Sequence, residues 1–263
     1  MWSRLPKPAA IADACGRAIR RSIPAAVVVL AACALGGGAW AGHRWLTRSP
    51  RFAITAITIQ GTQRLDPAEL RATLPLHLGD NVFVALGEVA RAVRANPWIA
   101  SADVRRVLPH TIAIEVREHQ AVAVVELGDL YLVDADGLPF KRAEAEEGDG
   151  LPTISGLDRA AYVASPGAVA ATVRDAIAAA ERWRTADRPA IDEIHVDPHG
   201  ALTLHTRDQA IAIRLGALGP ELTDRMHTFD AAWAGLSDAE RAHTRAIHLD
   251  ARPDHVTVAL AKD

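Results

Sequence analysis

The 263-residue chain carries 29 Lys and Arg against 32 Asp and Glu, for a net charge of −3, so it lacks the basic footprint of a nucleic-acid binder. Its 49% hydrophobic and 23% charged content is ordinary for a globular chain, and about 215 residues beyond an N-terminal apolar stretch leave room for one or two cored domains. Cys15 and Cys33 both fall before residue 49, which excludes disulfides, thiolate nucleophiles and thiolate metal sites from the rest.

Residues 1–22 set Arg4, Lys7, Arg17, Arg20 and Arg21 against one acid, Asp13. Ile23–Gly42 then carries no charge. At ~1.5 Å per residue, about twenty residues span a hydrocarbon core of ~30 Å. The expectation is a transmembrane helix over 23–45, with the short Arg-rich end cytoplasmic and the bulk exported by the positive-inside rule. A cleaved signal peptide is the competing reading, with Ala39-Trp40-Ala41 as an A-x-A site or Arg20-Arg21 as a twin-arginine signal. The long basic lead and Trp40 and Trp45, suited to an interfacial belt, favour a retained anchor. Gly38 and Gly42 form a G-x-x-x-G pair, a weak dimer signal in so small-residue-rich a span.

Beyond Ser49-Pro50, Ile54–Gln60 alternates as a half-buried strand ended by Gly61. Asp66-Pro67-Ala68-Glu69 reads as a helix start with a capping box. A second helix, 87–95, stops at Asn96-Pro97. Two alternating runs, 102–107 and 111–117, join through Leu108-Pro109-His110 as a hairpin. Further on, Asp136-Gly137 is a hairpin corner, and the acidic 143–150 run is a solvated loop. Ser165-Pro166 caps a helix to residue 184 with a stripe of Val169, Val173, Ile177 and Ala180. Strands follow at 191–196, 202–206 and 210–214, the first turn being Asp197-Pro198-His199-Gly200. A helix from Pro220 carries Leu222, Met226, Phe229, Trp233 and Leu236, and strands at 246–249 and 256–260 close the order.

The β-α-α-β-β order, the strand end Ile59-Gln60-Gly61, Pro97-Trp98-Ile99, Val104-Arg105-Arg106, Pro109 and Glu118 together resemble the FtsQ/DivIB family of bacterial divisome proteins. The Tyr131–Gly137 strand and turn and the Leu151–Gly156 step are similar to the same family. Leu108 and Ala121 depart from its usual Trp and Pro, and His248, Asp250 and Ala251 from its usual Asp, Arg and aromatic. The resemblance implies an α+β fold in which a single N-terminal transmembrane helix precedes two domains. The first is a POTRA-like domain over 51–120, the second a mixed, mainly antiparallel β domain with two helices over 121–263.

It implies a non-catalytic bitopic scaffold of the inner membrane, periplasmic in bulk, at the division septum, linking early and late cell-division proteins. Partners implied are FtsB and FtsL, with FtsK, FtsW and FtsI as further candidates. FtsB would add a strand to the last strand, His255, Val256, Thr257, Val258, Ala259 and Leu260. Its alternation places Val, Val and Leu on one face, as a half-buried strand does. Arg105 and Arg106 are candidates for a second partner edge on the POTRA-like domain, and equally for plain surface charge.

No catalytic or metal motif is legible, and no cofactor, small-molecule substrate or nucleic acid is expected. His195, His199 and His205 follow no ligand spacing. Asp134 and Asp136 flank a turn that wants Asp for backbone reasons. Trp183 and Trp233 lie on or beside apolar stripes and read as core. The alternatives are a secreted or anchored enzyme with an unrecognised site, or an outer-membrane assembly factor. The latter lacks the barrel's array of alternating strands here.

Overall fold

A computed structural model describes residues 8–184, 187–252 and 255–261, with side chains from residue 27 onward except 29, 251 and 252. The expectations on Arg4 and Lys7 fall outside the described residues. Helix α1 runs unbroken over Pro8–Arg48, so residue 22 marks no element boundary. Among the described residues no helix is long and apolar enough to cross a membrane. Ala and Gly, which add little transfer energy, make up most of 30–42.

The chain divides into two compact units, Met1–Ala95 with Ser101–Val116, and Asn96–Ala100 with Arg117–Asp263. In the first, a 3-10 turn at Pro50–Phe52 leads to β1 (Ala56–Gln60), α2 (Pro67–Ala72), α3 (Leu86–Arg94), β2 (Ile99–Val107) and β3 (Thr111–Glu118). This is the β-α-α-β-β order read from the sequence. The strands lie as β1-β3-β2, with β1 parallel to β3 from Ala56↔Thr111 to Gln60↔Glu115. Asp66 caps α2 as expected, its carboxylate accepting from the Ala68 N–H at 2.8 Å. Ile57, Leu70, Val89, Val93, Ile112 and Ile114 are buried. Gly61 has φ +90, and a Cβ there would strike the Val116 carbonyl, so only glycine closes this strand end.

The second unit is one nine-stranded sheet. Its strands are β4 (Ala123–Glu126), β5 (Leu130–Val133), β6 (Pro139–Arg142), β7 (Thr153–Ser155), β8 (Ile191–Val196), β9 (Ala201–Thr206), β10 (Ala212–Ala217), β11 (Thr244–Arg252) and β12 (His255–Leu260). They are ordered β12-β11-β10-β9-β8-β7-β4-β5-β6. Three of the pairings, β4–β7, β7–β8 and β10–β11, are parallel. Helices α4 (Arg159–Ala164), α5 (Pro166–Trp183), α6 (Leu222–Gly235) and α7 (Asp238–His243) complete it. Ile194, Leu204, Ile213 and Ile247 of the sheet share one core with Val173 and Ile177 of α5 and Met226 and Phe229 of α6. Phe229 sits 4.6 Å from Trp183 and 5.6 Å from Trp233 between ring centres, each pair adding about 0.5–1.5 kcal/mol beyond area burial.

Two sequence expectations are corrected and two are extended. Ser165 makes no side-chain cap to α5, because it also ends the unforeseen helix α4. The capping box forms at Ser237 and Glu240 of α7, where both reciprocal bonds are present. The acidic 143–150 run is the expected loop, with no residue buried, and Lys141 Nζ ties it down by holding Glu144 at 2.8 Å and Glu147 at 2.5 Å. The turn at Asp136-Gly137 is the expected hairpin corner between β5 and β6, with Gly137 at φ +76, and it also packs against α5, since a Cβ on Gly137 would meet the Ala170 carbonyl.

Arg188 locks the end of α5 to α6. Its side chain is 7% exposed, and the guanidinium donates two bonds to Asp230, at 2.6 and 2.7 Å, while lying 5.1 Å over the Trp183 ring. The hydrogen bonds from Arg188 hold the Asp230 carboxyl below its ordinary range, against an opposing effect of burial. A carboxyl with a lowered pKa stabilises the fold above its unfolded value, about 4, and that contribution fades as pH falls through the folded value. Asp230→Asn should therefore cost about 1–2 kcal/mol at pH 7, the figure being discounted for the partial exposure of Asp230. Urea unfolding should show this gap narrowing as pH falls below about 4, the unfolded value.

Candidate functional site

The sheet ends in two different edges. Strand β6 begins with Pro139 and carries Lys141 and Arg142, devices that blunt an edge against pairing. Strand β12, at the other end, reads HVTVAL and has neither Pro, Lys, Arg, Asp nor Glu. Its one described neighbour is β11, paired antiparallel through Ala246↔Ala259, Ile247↔Val258 and His248↔Thr257.

The direction of the free backbone groups follows from one hydrogen bond. The Ala261 N–H donates to the His243 carbonyl at 2.7 Å, toward β11. Because N–H groups alternate along a strand, those of Ala259 and Thr257 also face β11, and those of Leu260, Val258 and Val256 face outward. Side chains alternate in step. Val256 and Val258 pack against the core, whereas His255, Thr257 and Ala259 are exposed. Leu260 continues the apolar side but is 48% exposed. The six residues thus form a bare edge, apolar on the helix side and polar or small on the other. The alternation was legible in the sequence; the outward parity was not, because it depends on a backbone bond outside the strand.

The face of the sheet away from the core is polar across six strands. Register aligns Ser155, His195, Thr203, Arg214, His248 and Thr257 in one row from β7 to β12. Within it Ser155 Oγ meets His195 Nδ1 at 3.0 Å and also Glu193 Oε1. Acid and imidazole converge on the same hydroxyl, unlike a nucleophilic triad, in which the acid orients the base from behind. His199 lies apart in the β8–β9 turn, where Asp197 accepts its N–H at 2.8 Å and that of Ala201 at 2.9 Å. The backbone bond from Ala201 leads in holding the Asp197 carboxyl below its usual range. Asp134 likewise ties its own turn, accepting from Asp136 and Leu138 N–H groups and meeting His119 Nδ1 at 3.1 Å. Among the described residues no group of three His, Cys, Asp or Glu is placed to hold a metal ion.

In the POTRA-like unit, β2 is an edge strand and carries both candidate arginines. Their environments differ. Arg106 donates from Nε to the Val82 carbonyl at 2.9 Å and from Nη2 to the Val84 carbonyl at 2.6 Å, so it fastens β2 to the segment before α3. Arg105 is exposed. Bonds to backbone carbonyls leave no mark in sequence, so the two looked alike there.

Two family models match the chain. One, described as POTRA domain, FtsQ-type, covers residues 52–119. The other, described as cell division protein FtsQ/DivIB, C-terminal, covers residues 121–252 and ends ahead of β12. The chain is similar to the cell division protein FtsQ of Anaeromyxobacter sp. (strain K), 39% identical over 93% of this chain and 83% of that one. The FtsQ protein of Myxococcus fulvus is 37% identical over 63% and 60% of the two chains. That of Syntrophotalea carbinolica is 32% identical over 72% and 66%. The chain thus spans less than two thirds of the latter two.

The arginine pair gives a direct check. Arg106→Ala strips two carbonyls of their donor and should cost about 1–2 kcal/mol. Arg105→Ala should change stability by less than ~0.5 kcal/mol. Thermal unfolding of the two single variants reads the contrast.

Proposed function

The chain belongs to the FtsQ/DivIB family of cell division proteins, and from that premise we propose a non-catalytic scaffold of the bacterial divisome. It is a bitopic protein of the inner membrane, with α1 as its single pass, its N-terminus cytoplasmic, and the domains over 51–120 and 121–263 periplasmic at the septum. The uncharged Ile23–Gly42 stretch behind an Arg-rich lead supports that topology.

One observation carries the binding role. Of the two outer strands of the large sheet, β6 is guarded by Pro139, Lys141 and Arg142 while β12 is bare. A bare edge offers its N–H and C=O groups to a partner strand with little demand on side-chain identity. We assign β12 as the surface to which FtsB adds a strand, with FtsL beside it. FtsK, FtsW and FtsI are further divisome partners in this reading. Arg105, with the backbone of β2, is the corresponding candidate on the POTRA-like domain.

The parity of β12 makes the assignment testable by proline substitution. Thr257→Pro and Ala259→Pro remove donors that face β11 and should lower Tm by roughly 5–10 °C. Val256→Pro and Val258→Pro remove outward donors. They keep the bonds to β11 while giving up part of the valines' packing, so the ladder should persist at a modestly lower Tm, and binding of the FtsB extracytoplasmic segment should weaken at least about tenfold, or ~1.4 kcal/mol. Undiminished FtsB affinity in folded Val256→Pro and Val258→Pro proteins would falsify strand addition at this edge.

A further inference from the structure

Among the described residues of the first unit, the large apolar side chains left exposed beyond α1 are Leu78, Val107 and Leu108, at 63%, 41% and 59%. Residues that fold a domain normally scatter such exposure. Here all three lie at the end of the domain where the chain leaves α1. The segment carrying Leu78 is bonded to that junction, since Asn81 Nδ2 donates to the Leu46 carbonyl at 2.9 Å. The Val82 N–H also donates to Phe52 at 2.7 Å, and the Ile54 N–H to Asp80 at 2.7 Å. Phe52 stands edge-on between Trp45 and Phe83, at 6.1 and 5.3 Å. The hairpin tip carrying Val107 and Leu108 joins the same place. His110 accepts the Thr55 N–H at 2.9 Å, and Arg106 reaches the Val82 carbonyl.

Depth follows from helix rise. Leu46 is four residues beyond Gly42, about 6 Å along α1. The headgroup layer on each side of a bilayer is about 5–8 Å deep. With Ile23–Gly42 in the hydrocarbon, the carbonyl that Asn81 binds lies at headgroup level. Trp45 is exposed there, and Arg44, Arg48 and Arg51 surround the junction with positive charge, the complement of lipid phosphate.

We propose that this end of the POTRA-like domain rests on the membrane, with Leu78, Val107 and Leu108 in the interfacial layer and Arg48 and Arg51 against lipid phosphates. The proposal rests on the reading of α1 as an anchor. It adds a second membrane contact, which fixes the tilt of the domain rather than merely tethering it.

The test is spin-label accessibility in the full chain, carrying Cys15→Ser and Cys33→Ser, in vesicles of phosphatidylethanolamine and phosphatidylglycerol. Labels are placed singly through Leu35→Cys, Leu78→Cys, Leu108→Cys and Glu115→Cys. Glu115 is exposed and pairs with Gln60 at the far end of β1. The Leu35 label should be open to oxygen and shielded from a water-soluble nickel chelate. Those at positions 78 and 108 should meet the chelate several-fold less often than the label at 115. Adding Leu78→Asp to the Leu108 label should restore its access. If 78 and 108 match 115 while 35 is lipid-buried, the contact is overturned and the anchor stands. If 35 is itself aqueous, the anchor reading fails and takes the contact with it.

Discussion

A β-sheet cannot satisfy the backbone of its own outer strands, and the larger unit of this chain is organised by that constraint. Seven inner strands have partners on both sides, and the two outer ones are treated in opposite ways. At β6 the missing donor of Pro139 and the charges of Lys141 and Arg142 discourage pairing. At β12 three outward N–H groups stand on residues that hold no charge. An edge left so bare is a liability in a soluble domain unless something pairs with it.

Besides its ladder with β11, β12 is held by packing on one face. Val256 and Val258 share the core that α5 and α6 build over the sheet. Arg225 of α6 donates to the carbonyls of Leu215, at an irregularity in β10, and, at 2.7 Å, Ala217 just beyond it. The helix is thereby tied to the strand beside β11. The other face carries the polar row ending in His248 and Thr257, so the sheet is two-sided out to its last strand.

Much of this was legible in sequence where punctuation is strong. Gly61, Asp66-Pro67, Asn96-Pro97 and Leu108-Pro109 set the first domain's elements to within a few residues, because each acts through backbone geometry alone. Helices α4 and α7 were not foreseen, since six residues with none buried leave no apolar period to read. The three parallel pairings of the large sheet were equally hidden, as alternation marks a strand and not its neighbour. Arg106 and Glu147 show a third kind of silence, in which a charged residue that looks like surface is spent on an internal contact.

The two-sidedness of β12 bears on how an added strand would find its alignment. A strand displaced by one residue would turn its apolar side chains into water, losing about 0.8 kcal/mol for each CH2 left unburied. A displacement by two keeps every side chain on its proper face and costs little. For an added strand the edge would therefore discriminate odd slips from even ones by itself, and only a landmark would choose among the even ones. Leu260, apolar and half exposed at the end of β12, would serve as such a landmark, as would the irregular step between Thr244 and Ala246 behind it.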